Sequence, residues 1–180
     1  MRKFTEDYEI VVKEDENGKE IKTVVYIGKY YELLLDEAAI HRYRKNCLML
    51  LIAITILHIT SGFLGNQGMN QFYVALPYVI AFFALTYSFA GVFRLPKEKR
   101  NYQHDEVELS YTRIKTASVF LVVLLGIEVL GEIVFLLFAG AVQSFEQEFS
   151  FLLIEILLFI GSYLLVYLQK QIQINPLTEA

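Results

Sequence analysis

The chain has 180 residues, 55% of them hydrophobic, and a formal net charge of −4. Soluble domains usually contain about 45–50% apolar residues, and a single core formed by a chain of this length could not bury all of the long apolar runs described below. The mildly acidic balance argues against a nucleic-acid-binding protein. The single cysteine excludes an internal disulfide.

The first 45 residues are rich in charges of both signs and resemble a soluble segment. Within residues 8–27, two runs of β-branched and aromatic residues flank an Asn-Gly pair, which favours a tight hairpin because both central positions of a type I′ turn need positive φ. We therefore predict a β-hairpin over residues 8–27. An isolated hairpin is marginally stable in water, so this one should pack on the loop after the second span, on the membrane or on a partner. Apolar spacing predicts a helix over residues 30–43 that leads into the membrane.

Four apolar stretches are long enough to cross a bilayer, since a hydrocarbon core of about 30 Å needs roughly 20 helical residues. They are predicted at about residues 47–64, 72–93, 117–142 and 149–168. The loop at residues 94–116 separates the second span from the third, and its second half could extend the third helix inward. The expected fold is an all-α integral membrane protein with four transmembrane helices in an antiparallel bundle and a small N-terminal cytoplasmic β-hairpin.

Lysine and arginine cluster before the first span and between the second and third spans, and Lys170 follows the fourth, whereas the other two loops contain none. The positive-inside rule therefore predicts a multi-pass protein of the cell membrane with both termini cytoplasmic. The predicted division is a cytoplasmic segment at 1–45, a membrane domain at 46–169 and a cytoplasmic tail at 170–180. Six basic side chains are expected to contact anionic lipid at the inner surface: Arg42, Arg44, Lys45, Lys97, Lys99 and Arg100.

Four ionisable side chains lie inside the predicted spans: His58, Glu128, Glu132 and Glu155. At a rise of about 1.5 Å per residue, His58, Glu132 and Glu155 are predicted to share one layer in the outer half of the membrane, with Glu128 about one turn deeper. An ionised group at such depth costs at least ~2.5 kcal/mol. We therefore expect these side chains to form an inward-facing polar cluster.

This cluster is open to several interpretations. It could bind a cation, relay protons or line a polar substrate cavity, and carboxylates with an imidazole suit Mn²⁺, Fe²⁺ or Zn²⁺. Alternatively, protonated glutamates and a neutral histidine hydrogen-bond across the helices and fix their packing. A further alternative places His58 and Glu155 at the interface, where they extend into the headgroups. The sequence does not identify a metal or a cofactor.

No phosphate-binding glycine loop, nucleophile elbow, His-Glu-x-x-His or Cys-x-x-Cys motif occurs in the sequence. The expected function is therefore that of a non-enzymatic accessory or interaction subunit, which acts in the bilayer through another copy of the chain or a larger membrane complex. One alternative is a small transporter or proton/cation-conducting element that uses the intramembrane Glu and His residues. A second alternative is a membrane-embedded enzyme with an outward-facing Glu/His site.

Overall fold

Four long helices form the membrane part of the computed structural model, which describes residues 4–14, 20–98, 100–138 and 143–177. The helices are α1 (Glu37–Ser61), α2 (Phe72–Phe93), α3 (His104–Phe138) and α4 (Phe145–Lys170). All four are long and apolar enough to cross a membrane. Even the shortest, with 22 residues, extends about 33 Å at the usual helical rise. The predicted antiparallel bundle of four long apolar helices is confirmed, whereas the cytoplasmic location of its N-terminal segment stays a prediction.

The helices extend beyond most of the predicted spans. Only α2 has the bounds of its span, whereas α1, α3 and α4 begin earlier, and α3 absorbs the second half of the loop at 94–116. A π-helical turn, Glu108–Thr112, lies near the start of α3. Residues 139–142, where the third span was expected to end, lie outside the described residues.

The helix predicted over residues 30–43 is wrong in its first part. Tyr30–Leu33 is a strand, β3, and α1 begins only at Glu37. The Tyr-Tyr-Glu-Leu run suits a strand because aromatic residues favour extended backbone. The side chain of Asp36 then accepts a hydrogen bond of 2.6 Å from the amide of Ala39, which caps the helix at its start.

Helix α3 packs against both α2 and α4, and α1 closes the bundle against α4 and α2. Gly91 permits the close approach of α2 to α3, because a Cβ there would lie 2.6 Å from Cγ1 of Ile114. Helix α4 contributes a narrow seam whose members alternate at spacings of three and four residues, as in coiled coils. The buried residues of this seam are Glu148, Phe151, Glu155, Leu158, Ser162, Leu165 and Gln169.

Two small sheets lie at one end of the bundle, which we call the sheet end. The predicted hairpin is confirmed as β1 (Tyr8–Glu14) paired antiparallel with β2 (Glu20–Tyr26), although its Asn-Gly turn lies outside the described residues. In the second sheet β3 is the central strand, with β4 (Tyr102–Gln103) on one side and β5 (Ile174–Pro176) on the other. Strand β5 lies within residues 170–180, which the sequence predicts to be a tail.

The hairpin rests on the segment that follows the second span, as one of the predicted alternatives proposes. The Tyr8 hydroxyl donates to Oε1 of Gln103 at 3.1 Å and to Oδ2 of Asp105 at 3.2 Å, and the amide of His104 donates to the Tyr26 hydroxyl at 2.9 Å. The pKa of the Tyr8 phenol is raised above its ordinary value. Partial burial is the largest cause, and the nearby negative charge of Asp105 is the next. The phenol therefore stays protonated and available as a donor.

The basic residues expected at the inner surface belong to the sheet end. Arg42, Lys45, Lys97 and Arg100 are exposed and Arg44 is half-buried, while Lys99 lies outside the described residues. Arg100 holds the carboxylate of Glu106 with both terminal nitrogens, at 2.5 and 3.1 Å. Contact of these side chains with lipid stays a prediction.

Cys47 is expected to report on the integrity of the bundle. Its side chain is fully buried between α1 and α4, where the Gln169 amide donates to its sulfur at 3.7 Å. The folded protein in detergent should therefore react with a maleimide far more slowly than the denatured protein, because a buried thiol is inaccessible. The measurement is the time course of labelling by mass spectrometry, and rapid labelling of the folded protein would contradict the packing of α1 on α4.

A second labelling experiment tests the predicted orientation. Gln147 and Lys97 are both exposed and lie at opposite ends of the bundle, and the native Cys47 is shielded. In separate Gln147→Cys and Lys97→Cys variants, an impermeant maleimide applied to intact cells should label only the first, and applied to inverted vesicles only the second. Labelling of both from one side would show that the helices do not cross the membrane four times as predicted.

Candidate functional site

The end of the bundle opposite the sheets, which we call the loop end, contains the linker at residues 62–71 between α1 and α2. Here α3 and α4 each bring a glutamate to the same level. Glu155 lies ten residues after the start of α4 at Phe145, and Glu128 lies ten residues before Phe138, where α3 ends. Either distance corresponds to about 15 Å along a helix axis. The antiparallel packing therefore places these two carboxyl groups side by side.

His58 of α1 joins these two glutamates to form what we call the core cluster. One ligand-type atom from each of His58, Glu128 and Glu155 lies within 4.8 Å of the others. All three side chains are 0% exposed. The carboxyl groups of Glu128 and Glu155 are close enough to repel each other when both are ionised, and no hydrogen bond joins them in the structure.

Tyr78 of α2 fixes the position and the tautomer of the His58 ring. The ring Nε2 lies 3.1 Å from the backbone carbonyl oxygen of Tyr78. Because a carbonyl only accepts hydrogen bonds, Nε2 carries the hydrogen and Nδ1 of the neutral ring is an acceptor. In return the Tyr78 hydroxyl donates to the His58 carbonyl at 2.8 Å, and the two rings lie 4.2 Å apart. Nδ1 has no hydrogen-bond partner in the structure.

A second pair of carboxyl groups, which we call the linker pair, lies nearer the loop end. Glu132 and Glu148 are almost completely buried and face each other. The Glu148 carboxylate accepts hydrogen bonds from the amides of Gln67 at 2.6 Å and Gly68 at 3.3 Å. The Glu132 carboxylate lies against Gly68, where any Cβ would collide with it. The linker pair therefore lies between the 62–71 linker and the core cluster.

The predicted layer is corrected in one respect. Glu132 was expected beside His58 and Glu155, but the structure places Glu128 there and Glu132 closer to the loop end. Helix α4 begins at Phe145, four residues before the predicted span, so Glu155 lies deeper than expected. The alternative in which His58 and Glu155 extend to the headgroups is wrong, because both are buried inside the bundle.

Glu148 is the member of the site that the sequence did not reveal. Residues 143–148 read as a turn, where an acidic residue is unremarkable. The signal was the spacing of polar residues along α4, since Glu148, Glu155, Ser162 and Gln169 follow one another at intervals of seven. A polar residue at every seventh position of an apolar helix marks one face.

The negative charge of these glutamates is not balanced by the protein as far as the structure describes it. Both carboxyl oxygens of Glu128, Glu132 and Glu155 lack a hydrogen-bond partner. Among the described residues, no lysine or arginine is buried. Because an uncompensated ionised carboxylate is very costly in low dielectric, the cluster must take up protons or a metal cation.

The bundle is closed on the sheet-end side of the core cluster. Its interior there is formed by fully or almost fully buried leucines, namely Leu51, Leu121, Leu125, Leu158 and Leu165. The buried hydroxyls of Ser88, Ser118 and Ser162 donate to carbonyls of their own helices and are thus already satisfied. Within the described part of the chain, the buried acidic residues accordingly lie on the loop-end side of this apolar interior.

No protein-family model, no curated protein and no solved structure matches this chain. What the site can bind follows from its own donor atoms. Carboxylate oxygens and an imidazole nitrogen bind protons and divalent transition-metal cations. Either ion would offset the buried negative charge.

Proposed function

We propose that the protein handles cations within the membrane, as a small transporter or cation-conducting element. Its ion-binding side chains are those of the core cluster and the linker pair. The observation that carries this proposal is the burial of four carboxyl groups in one half of the bundle, where no described lysine or arginine offsets them. Intramembrane carboxylates of this kind usually mark an ion or proton pathway.

The order of the groups gives the proposed route. A cation that arrives at the loop end first meets Glu132 and Glu148, next to the 62–71 linker, and then the deeper core cluster. In the predicted orientation the loop end faces the outside of the cell. The protein would thus bind its cation from outside.

Transport also requires that the sheet-end half opens, since leucines close it in the state seen here. Alternating access, in which one part of the bundle rocks against the other around a fixed site, is the usual solution for small transporters. A permanently open pore would not need such a step. We therefore propose a carrier-like cycle rather than a channel.

Flux in proteoliposomes tests this proposal. The parent protein should carry protons or divalent cations down an imposed gradient, and Glu132→Gln and Glu155→Gln should each reduce the flux to that of empty vesicles, since glutamine keeps the shape of glutamate but binds no cation. Glu146→Gln is the matched control, because Glu146 lies in the first turn of α4 but is exposed. This control should behave as the parent.

Two results would contradict the proposal: no flux through the parent, or equal flux through the parent and through both Glu132→Gln and Glu155→Gln. Copurification of a flux-inactive parent with a defined membrane protein would instead support the accessory-subunit interpretation. Turnover of a lipid-soluble substrate by that flux-inactive parent would support the embedded enzyme. Both interpretations stay predictions of the sequence.

A further inference from the structure

We infer that the core cluster is a site for one divalent transition-metal cation, bound by Nδ1 of His58 and by one carboxylate oxygen each from Glu128 and Glu155. This inference rests on the proposed function, because it identifies which cation the buried acids serve. It requires more than an acidic cluster. The additional observation is the imidazole of His58, fully buried and with its Nδ1 left without a partner.

The spacing of the three ligand atoms fits a single ion. One ring nitrogen of His58 and one carboxylate oxygen from each glutamate lie within 4.8 Å of one another, and atoms bound to one tetrahedral Zn²⁺ at about 2.0–2.2 Å lie about 3.3–3.6 Å apart. Small rotations of the two glutamate side chains bring the three atoms into this range. The ligands come from α1, α3 and α4, so the ion would join three of the four helices.

The His58 ring already makes the supporting hydrogen bond that a metal-binding histidine requires. A histidine that binds a metal nearly always donates its other ring N–H to a carboxylate, a carbonyl or water, and this bond fixes the tautomer and orients the ring. Nε2 of His58 makes that bond to the carbonyl of Tyr78. Nδ1 has no hydrogen-bond partner in the structure, so its lone pair is available to a metal ion.

Charge favours a divalent cation over a monovalent one. Two ionised carboxylates and a neutral imidazole carry two negative charges, so a dication makes the site electrically neutral. A monovalent cation would give a neutral site only if one carboxyl group kept its proton, and a protonated carboxyl is a poor metal ligand. When the dication binds, protons held by Glu128 and Glu155 leave, so that the total charge of the site stays balanced.

The donor set also selects among divalent cations. Ca²⁺ and Mg²⁺ prefer sites made only of oxygen, whereas a nitrogen ligand with two carboxylates suits Mn²⁺, Fe²⁺ and Zn²⁺. Three protein ligands leave at least one coordination position open. An open position allows the ion to be exchanged, as a transport site requires, whereas a fully enclosed site would retain it.

The test is Mn²⁺ binding to the purified full-length protein in nanodiscs after treatment with a chelator. Electron paramagnetic resonance should show one bound Mn²⁺ per chain, with an electron spin echo modulation from a directly bound ¹⁴N. Glu128→Gln and Glu155→Gln should each weaken binding by about tenfold or more. His58→Gln should remove the ¹⁴N modulation. Slow maleimide labelling of Cys47 checks that each variant is folded.

Two controls separate this site from other acidic and histidine groups. Glu146→Gln changes an exposed carboxyl in the first turn of α4, outside the proposed coordination, and should retain the ¹⁴N signal and the stoichiometry. His104→Gln removes the imidazole that lies 3.0 Å from Asp7 and 3.6 Å from Glu108 at the sheet end. This variant should also bind one Mn²⁺ with the same signal.

The outcomes distinguish the inference from the function on which it rests. If the parent binds no stoichiometric Mn²⁺ or Zn²⁺, yet its proton flux still depends on Glu132 and Glu155, the metal site is wrong and protons are the transported ion. Metal binding that survives Glu128→Gln, Glu155→Gln and His58→Gln would place the metal elsewhere and also overturn the inference. If the parent protein carries no flux at all, the proposed function itself is wrong.

Discussion

Replacing Glu128 and Glu155 together by leucine is expected to stabilise the metal-free protein by about 1–4 kcal/mol, the range observed when buried charged groups are exchanged for apolar ones. These carboxyl groups are fully buried, and their oxygens have no hydrogen-bond partner. In the metal-free protein they therefore cost stability. We expect the leucines to extend the apolar interior formed by Leu125 and Leu158.

The measurement is the free energy of unfolding, followed by the reactivity of Cys47 as denaturing detergent is added. The control for the response of the core is Leu158→Ala, which should destabilise the bundle by about 2–5 kcal/mol because it opens a cavity. A loss of stability in the double leucine variant would mean that the carboxyl groups hold the helices together. The packing interpretation would then replace the cation site.

Glu148→Ala is expected to have the opposite effect and destabilise the protein by about 2–4 kcal/mol, since an unsatisfied buried donor costs about 1–3 kcal/mol. The Glu148 carboxylate accepts from two backbone amides of the linker, those of Gln67 and Gly68. Its removal leaves both amides without their acceptor. The same unfolding measurement applies.

The matched control is Glu146→Ala, which removes an exposed carboxylate from the same turn of α4 and should change stability by no more than about 0.5 kcal/mol. Glu148→Gln retains one acceptor oxygen and should fall between the parent and the alanine variant. If the Glu148→Ala and Glu146→Ala variants had the same free energy of unfolding, the hydrogen bonds from the linker to Glu148 would contribute nothing to stability. The contrast with Glu128 and Glu155 distinguishes a buried carboxyl group that accepts backbone hydrogen bonds from buried carboxyl groups that accept none.

Features encoded by local sequence were predictable. The length of an apolar run determines whether a helix can cross a bilayer, so α2 was placed residue for residue. The hairpin of β1 and β2 has both strands within about twenty residues, so its turn and strand signals lie side by side in the sequence. His58, Glu128, Glu132 and Glu155 stood out because ionisable residues are rare in such runs.

Features that depend on distant partners were not predictable. Strand β3 pairs with β5, and Leu33 faces Ile174 across a separation that no local pattern reports. The grouping of the acids depended on where α4 begins, and a shift of four residues moved Glu155 by more than one helical turn. Glu148 was missed for the same reason. Residues 143–148 were assigned to a turn, and a charged turn residue is expected to be exposed.

The arrangement of the second sheet has a consequence for biosynthesis. Strand β3 precedes the first membrane helix, yet one of its two neighbours, Ile174–Pro176, follows the fourth. During synthesis, β3 can therefore pair only with β4 until all four of these helices and then Ile174–Pro176 have been made. A polypeptide arrested before Ile174 would therefore leave one edge of β3 without its strand partner.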